Sequence, residues 1–171
     1  VVAAAVILPN KFSNKDINDS KKISEKKRTI LSNIIKNESI AWAIGIVAAG
    51  QIDQINILNA SIKAMHHSIK SITKKIQKQP DILLIDGNRF KTYLNIPHQC
   101  IIKGDQKYIS IASASILAKT YRDNLMIDLG KNNPKYNWPS NKGYPTKEHK
   151  SAIMQYGITK YHRKSFKLFK K

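Results

Sequence analysis

The stretch "ILLIDGNRF", residues 82–90, runs four apolar residues directly into Asp86 and a glycine. A short apolar run bounded by turn residues is typical of a buried β-strand. A second short run, in "HQCIIKGD" at residues 98–105, ends in the same way on Asp105. The sequence therefore predicts two strands that each carry an acid at the carboxyl end.

Helices and strands alternate along the rest of the chain. Ser24 is a suitable N-cap for a helix, and isoleucine, leucine and methionine recur at spacings of three and four between Ile55 and Ile76. This interleaving is typical of an α/β domain, and the length of 171 residues favours one domain, 1–171. Strands are predicted at 1–8 and within 39–49, and helices at about 25–37, 55–76, 109–129 and 146–156.

The chain is strongly basic. It has 30 Lys and Arg against 11 Asp and Glu, a formal charge of +19. Such a field attracts polyanions, so a nucleic-acid partner is expected. The alternative is a solvated basic surface without a specific partner.

The compartment is suggested by two simple features. Cys100 is the only cysteine, so no disulfide can form within the chain, and a reducing compartment such as the cytoplasm is expected. The apolar opening "VVAAAVILP" is too short to span a bilayer and is better explained as a buried strand. No membrane association is predicted.

The two strand-end acids suggest a metal site. In open α/β sheets, ligands bind at the carboxyl ends of the strands, and carboxylates on neighbouring strands converge there. Converging carboxylates repel each other unless a hard divalent cation neutralises them. In a cationic chain this pattern favours a metal-dependent phosphodiester enzyme. The alternative is that Asp86–Gly87 and Gly104–Asp105 are simple turn residues, since Asp-Gly is a hairpin signal.

Other chemistries have little support. The chain has no glycine-rich phosphate loop, no Cys-x-x-Cys and no Gly-x-Ser-x-Gly. His66 and His67 are adjacent on a predicted helix and therefore lie on different faces, which is unsuitable for a shared metal. His149 and His162 are candidates for substrate contact without a visible partner.

Five segments, in order, resemble ribonuclease HII: "NDSKKISEKKR" (18–28), "INILNASIKAM" (55–65), "LLIDGNRF" (83–90), "IIKGDQKYISIASASILAKTYRD" (101–123) and "NKGYPTKEH" (141–149). The resemblance implies an RNase H-like fold, a mixed sheet flanked by helices. Residues 130–171 would be its C-terminal helical extension and basic tail. It also implies a monomeric enzyme that uses Mn²⁺ or Mg²⁺ to cut RNA in RNA/DNA hybrids and at single ribonucleotides in duplex DNA.

The resemblance assigns roles to individual residues. Asp86 and Asp105 match two of the family's four metal-binding acids, and Tyr144 matches the tyrosine that stacks on the sugar at the RNA-to-DNA junction. Ser20, Lys21 and Lys142 match positions that contact the nucleic-acid backbone. The alternative for Tyr144 is a core or surface tyrosine, and the alternative for Ser20, Lys21 and Lys142 is a solvated loop.

One part of the family pattern has no counterpart in the sequence. The family begins with a strand that carries an Asp-Glu pair and a Gly-Arg-Gly segment, ahead of the stretch that "VVAAAVILP" resembles. This suggests an N-terminally truncated copy, and weak or no cleavage is expected, since two acids do not hold two metal ions on one phosphate. The rival interpretations are a non-catalytic basic nucleic-acid-binding domain and a different nuclease of the same fold.

Overall fold

The computed structural model describes residues 1–18, 20 and 23–166. The strands and helices alternate as the sequence predicts, with two additional short 3₁₀ turns at Gly104–Gln106 and Pro134–Tyr136. The elements in chain order are β1 (Val2–Ile7), α1 (Glu25–Glu38), β2 (Ala41–Ile46), α2 (Ala49–Ile76), β3 (Leu83–Asp86), β4 (His98–Ile101), α3 (Ile109–Asn132), α4 (Trp138–Asn141) and α5 (Lys147–Tyr156).

The four strands form two pairs. β1 and β2 are antiparallel, with Val2 opposite Ile46 and Ile7 opposite Ala41. β3 and β4 are parallel, with Leu83 opposite His98 and Asp86 opposite Ile101. Both kinds of pairing expected of a mixed sheet are thus present, although in the described part of the chain no ladder joins the two pairs.

Helices α1 and α3 cover the β1–β2 pair. Leu31 and Ile35 of α1 and Ile116 of α3 are buried in one cluster, against which Ala4 and Val6 of β1 pack. The small residue Ala112 belongs to the same cluster. The run of small residues that begins α3 therefore lets this helix lie close to the strand, as its composition predicts.

Helix α2 packs on β2 at a very short distance. A Cβ atom at Gly45 would overlap the Ala64 carbonyl oxygen and lie 2.8 Å from the Ser68 backbone nitrogen. Both atoms belong to a helix backbone that cannot move aside, so glycine is the residue that this contact requires.

Helix α2 is longer than the isoleucine pattern predicts, and it is broken. It begins at Ala49 and contains one non-helical residue, Asn56, with φ 64° and ψ 168°. The Asn56 side-chain oxygen accepts a hydrogen bond from the Asn59 backbone nitrogen at 3.1 Å. Asn56 therefore acts as the N-cap of the second, longer segment of the helix.

The C-terminal helices have their own small core. Tyr136 and Trp138 are buried with Ala152 and Ile153 of α5, and Met126 and Leu129 of α3 pack against them. Within the described residues, no helix combines the length and the apolar character needed to cross a membrane.

Candidate active site

Asp86 and Asp105 lie at the same edge of the β3–β4 pair. Asp86 is the last residue of β3, and its strand partner Ile101 is the last residue of β4. After β4, Lys103 adopts a left-handed conformation (φ 55°) and turns the chain back. The Gly104 backbone nitrogen then donates to Asp86 Oδ1 at 3.0 Å, so the residue before Asp105 is bound directly to the Asp86 carboxylate.

Gly104 is enclosed at this junction. A Cβ atom there would lie 2.6 Å from Ile111 Cδ1 and 3.3 Å from Asp86 Oδ1. The carbonyl of Gly104 accepts from the Tyr108 nitrogen at 2.8 Å, next to the first residue of α3. One glycine thus connects the Asp86 carboxylate, the Asp105 turn and the beginning of α3.

The hairpin explanation of Asp86–Gly87 is wrong, because β3 and β4 are parallel and a hairpin turn joins antiparallel strands. The prediction that the second strand ends on Asp105 is also wrong, because β4 ends at Ile101 and Asp105 lies in the 3₁₀ turn Gly104–Gln106, as the turn alternative for Gly104–Asp105 expected. Gly87 does have a positive φ of 97°, but its nitrogen donates to Ile101 O at 2.9 Å and continues the parallel ladder. Cys100 lies on β4 one residue before the strand ends, and it is exposed.

A second group of polar residues surrounds a cavity of about 320 Å³ between β1, α3 and Tyr144. The buried Ser20 hydroxyl lies 2.9 Å from the Ser115 hydroxyl of α3. Lys119 and Arg122, on the same side of α3, provide two cations. The complete lining is Val2, Ser20, Ser115, Ala118, Lys119, Arg122 and Tyr144. Hydroxyl groups beside two cations form a lining suited to an anion such as a phosphate.

Tyr144 is on the rim of this cavity. Its side chain is 58% exposed, and the Arg122 guanidinium carbon lies 5.2 Å from the ring centroid, in the range of a cation–π contact. Arg122 also donates to the Tyr144 hydroxyl at 3.4 Å and to the Lys142 carbonyl at 3.3 Å. The tyrosine that the resemblance selects is therefore an exposed aromatic ring, which excludes the core-tyrosine alternative and leaves that of an ordinary surface tyrosine open.

A buried ion pair fixes the wall of the cavity. Arg28 of α1 donates to Asp123 Oδ2 of α3 at 2.8 Å, and both side chains are almost fully buried. Arg28 also donates to the carbonyls of Ser20 and Ile23. Lys119 and Arg122 approach the same Asp123 carboxylate at 3.6 and 3.1 Å. Asp123 therefore orients both cations, and Arg28 holds Ser20 against α3.

Of the two remaining predicted contact residues, Lys142 and Lys21, the structure describes Lys142. Lys142 is half-buried, with its Nζ atom 2.5 Å from the Pro139 carbonyl oxygen and 3.8 Å from Glu25. Its φ of 49° places it in the left-handed turn before Tyr144. Lys21 lies outside the described residues.

The family model for ribonuclease HII matches residues 1–169 of the chain. The ribonuclease HII of Christiangramia forsetii is 56% identical over 168 residues, a match that covers 98% of this chain and 83% of the relative. The ribonuclease HII of Parabacteroides distasonis is 58% identical over 168 residues, a match that covers 98% of this chain and 82% of the relative.

The chain belongs to the ribonuclease HII family. The identification from the five sequence segments is confirmed, and so is the prediction of an endoribonuclease. Ribonucleases HII depend on a divalent metal ion, and they act on RNA/DNA hybrids.

Solved structures support the fold. Ribonuclease H2 from Pyrococcus horikoshii superposes with a TM-score of 0.73 at 16% identity, covering 98% of this chain and 95% of the other. A structure of the PCNA:RNase HII complex from Archaeoglobus fulgidus superposes with a TM-score of 0.70 at 17% identity, covering 100% of this chain and 98% of the other. The predicted RNase H-like α/β fold with a C-terminal helical extension is confirmed.

Reasoning from the sequence did not identify Ser115, Lys119 and Arg122. Their spacing of four and three residues places them on one face of α3. That polar stripe, beside the "NKGYPTKEH" segment, was the available signal. Recognising the cavity also required the contact between Ser20 and Ser115, which are far apart in the sequence.

Proposed function

We propose that the chain is an endonuclease that hydrolyses the RNA strand of RNA/DNA hybrids and nicks duplex DNA at single ribonucleotides, leaving 5′-phosphate and 3′-hydroxyl ends. The observation that supports this is the location of Asp86 and Asp105 at one edge of two adjacent parallel strands, in a chain of the ribonuclease HII family. Other proposed properties are a single domain over 1–171, a C-terminal extension over 130–171, a monomeric state and a cytoplasmic location.

The proposed metal ligands are Asp86 and Asp105, and the proposed ion is Mn²⁺ or Mg²⁺. Magnesium typically binds one or two protein carboxylates together with substrate phosphate and water, so two aspartates fit one such ion. A bound dication would supply an activated water and stabilise the charge that develops on the phosphate. The Gly104 amide holds one oxygen of Asp86, which fixes the orientation of the carboxylate before any ion binds.

The proposed duplex contacts lie along α3. Tyr144 would pack on the sugar at the junction, where the 2′-hydroxyl is the feature that distinguishes RNA from DNA. Ser20 and Lys142 are the backbone contacts suggested by resemblance, together with Lys21. Lys119 and Arg122 join them as cationic groups at the cavity. Phosphate contacts of this kind hold a duplex in register without reading its sequence.

The expected cleavage rate depends on the number of carboxylates that can bind metal ions. Among the described residues, no group of three or more acidic, histidine or cysteine side chains is arranged to hold a metal ion. Two carboxylates that bind one ion give less stabilisation than a two-ion clamp on the attacking and leaving oxygens. A polypeptide of these 171 residues is therefore expected to show weak or no cleavage.

The test is the nicking of a DNA duplex that contains one ribonucleotide, with Mn²⁺ or Mg²⁺ supplied separately. Asp86→Asn and Asp105→Asn should each lower the metal-dependent rate by at least about 100-fold, because each removes a proposed metal ligand. Asp128→Asn is the matched control, since Asp128 is an exposed α3 residue paired with Lys131. A rate that is unchanged in both strand-end variants would refute the assignment.

The non-catalytic basic nucleic-acid-binding domain is the second candidate, and the observation behind it is the formal charge of +19. It predicts that Asp86→Asn and Asp105→Asn bind hybrid as tightly as the unmodified chain, or more tightly, with no effect of metal. Isothermal titration with Mn²⁺ alone distinguishes the two candidates, because only the nuclease requires metal uptake that both variants abolish.

A further inference from the structure

Two buried histidines face each other next to Tyr144. His149 of α5 is 4% exposed and His162 is 8% exposed, and their Nε2 atoms lie 3.2 Å apart. The rings of Tyr136 and Trp138 pack around them. Neither histidine belongs to the proposed metal or phosphate contacts. A contact between two Nε2 atoms is a hydrogen bond if one nitrogen carries a proton and the other accepts it.

The surrounding donors determine where the protons are. The Thr159 backbone nitrogen donates to His162 Nδ1 at 2.9 Å, so this nitrogen accepts. Neutral His162 must then carry its proton on Nε2 and donate it to His149 Nε2. Burial and the neighbouring His149 lower the pKa of His162 below its ordinary value of 6.5, which keeps the ring neutral at neutral pH.

The second histidine, His149, extends the hydrogen-bond chain to the Tyr144 backbone. His149 Nε2 also accepts from the indole nitrogen of Trp138, which can only donate, at 3.1 Å. His149 therefore carries its proton on Nδ1, and this atom lies 2.9 Å from the Tyr144 carbonyl oxygen. The result is a continuous chain of donors from Thr159 through His162 and His149 to the Tyr144 backbone.

We propose that the His149–His162 pair is a positioning device for Tyr144, which fixes its carbonyl and thereby the direction in which its ring meets a ribonucleotide. The proposal rests on the proposed role of Tyr144 in substrate contact. The ring is largely exposed and touches Arg122. Its location therefore depends on how firmly the backbone is held, and the carbonyl accepts from both His149 and the Thr146 nitrogen.

Two amide substitutions at the same position test this directly. The amide nitrogen of Asn can occupy the place of the histidine Nδ1 atom, whereas that of Gln occupies the place of Nε2. His149→Asn keeps a donor for the Tyr144 carbonyl, and His149→Gln loses it. Both variants remove the ring and its packing, so each controls for the other.

The readout is the ratio of two affinities of the full chain, for a duplex with one ribonucleotide and for the all-DNA duplex, measured without metal so that no cleavage occurs. His149→Gln should lower this preference by about fivefold to tenfold, the scale of one lost hydrogen bond, while affinity for the all-DNA duplex is retained. His149→Asn should stay within about twofold. Equal losses in two folded variants would overturn the positioning role.

Nitrogen-15 NMR of the histidine rings tests the proton chain independently of the substrate. The expected tautomers are Nδ1–H for His149 and Nε2–H for His162 in the unmodified chain at pH 7.5. The opposite tautomer at either ring would overturn the proposal. If the unmodified chain shows no preference for the duplex with one ribonucleotide, the proposed role of Tyr144 itself is refuted. In that case the tautomers still decide whether the hydrogen-bond chain from Thr159 to Tyr144 exists.

Discussion

Gly104 is the residue on which the geometry of the two aspartates depends most directly. Its backbone nitrogen binds Asp86, and the site of a Cβ atom is already occupied by Ile111 and approached by the Asp86 carboxylate. Inserting a methyl group in such a place forces the surrounding atoms to shift, which typically costs about 1–3 kcal/mol. The same shift would separate Asp86 from the turn that carries Asp105.

Gly104→Ala is therefore expected to lower the free energy of unfolding by about 1–3 kcal/mol and to weaken Mn²⁺ binding. Gly50→Ala is the control, because a Cβ atom at Gly50 meets no atom within 4 Å and alanine favours a helix. Urea unfolding and titration with Mn²⁺ measure the two effects. If both substitutions leave metal binding unchanged, Gly104 does not hold the site.

At this scale the sequence predicted the acids better than their surroundings. Asp86 and Asp105 are recognisable because each follows an apolar strand, a pattern that is local. The contact of Ser20 with Ser115 joins distant parts of the chain, and the pairing of His149 with His162 depends on how α5 and the following segment fold back. No local pattern encodes such contacts, so the pairing of these residues was found only in the structure.

The helices and strands were predictable to different degrees. α1 begins at Glu25 with Ser24 as its cap, as predicted, because an N-cap and an apolar face are both local signals. In α2 the spacing of apolar residues passes through the break at Asn56 without interruption. A periodic pattern of apolar residues does not report a single non-helical residue, and Leu58, a member of the predicted stripe just after the break, is 42% exposed.

Helix α5 and the segment after it are linked by the histidine pair, and this link is sensitive to pH. The lowered pKa of His162 means that the unfolded chain binds a proton at a higher pH than the folded chain. Stability is therefore lost as the pH falls below the ordinary value of 6.5, towards the lowered pKa.

As the pH falls below 6.5, the unmodified chain is expected to lose unfolding free energy relative to His162→Gln, which cannot take up the proton, with an upper limit of about 1.4 kcal/mol per pH unit for one proton. Urea unfolding of both proteins at several pH values measures the difference between them. His98→Gln, a partly exposed strand residue, should follow the unmodified chain. Parallel curves for His162→Gln and the unmodified chain would contradict the pH dependence.

The fold of the whole molecule was predictable from the alternation of its elements and from the five family segments. The division of the described strands into an antiparallel and a parallel pair was not, because strand alternation does not specify which edges are joined by hydrogen bonds. The net charge is evident from the sequence alone, and it determines the long-range electrostatic attraction of the molecule to polyanions. A formal +19 predicts that duplex binding is dominated by phosphate contacts.

Hybrid affinity should consequently fall steeply with salt, by about 10³ to 10⁵-fold between 50 and 200 mM if six to ten phosphates are contacted. Fluorescence anisotropy with a labelled hybrid measures this slope. Lys119→Gln and Arg122→Gln should each reduce the slope by about one, because each removes one cation from the cavity. Lys131→Gln should leave the slope unchanged, because Lys131 does not line the cavity, and an equal change in all three would argue against a specific phosphate site.

The exposure of Cys100 provides a single attachment point for a spectroscopic probe. It is the only thiol of the chain and lies on β4 opposite Ile85, the residue before Asp86, and five residues before Asp105. A maleimide fluorophore or nitroxide placed there would sense paramagnetic Mn²⁺ arriving at the strand ends. Ion occupancy can thus be followed by quenching or line broadening in a protein that has no second sulfhydryl to label.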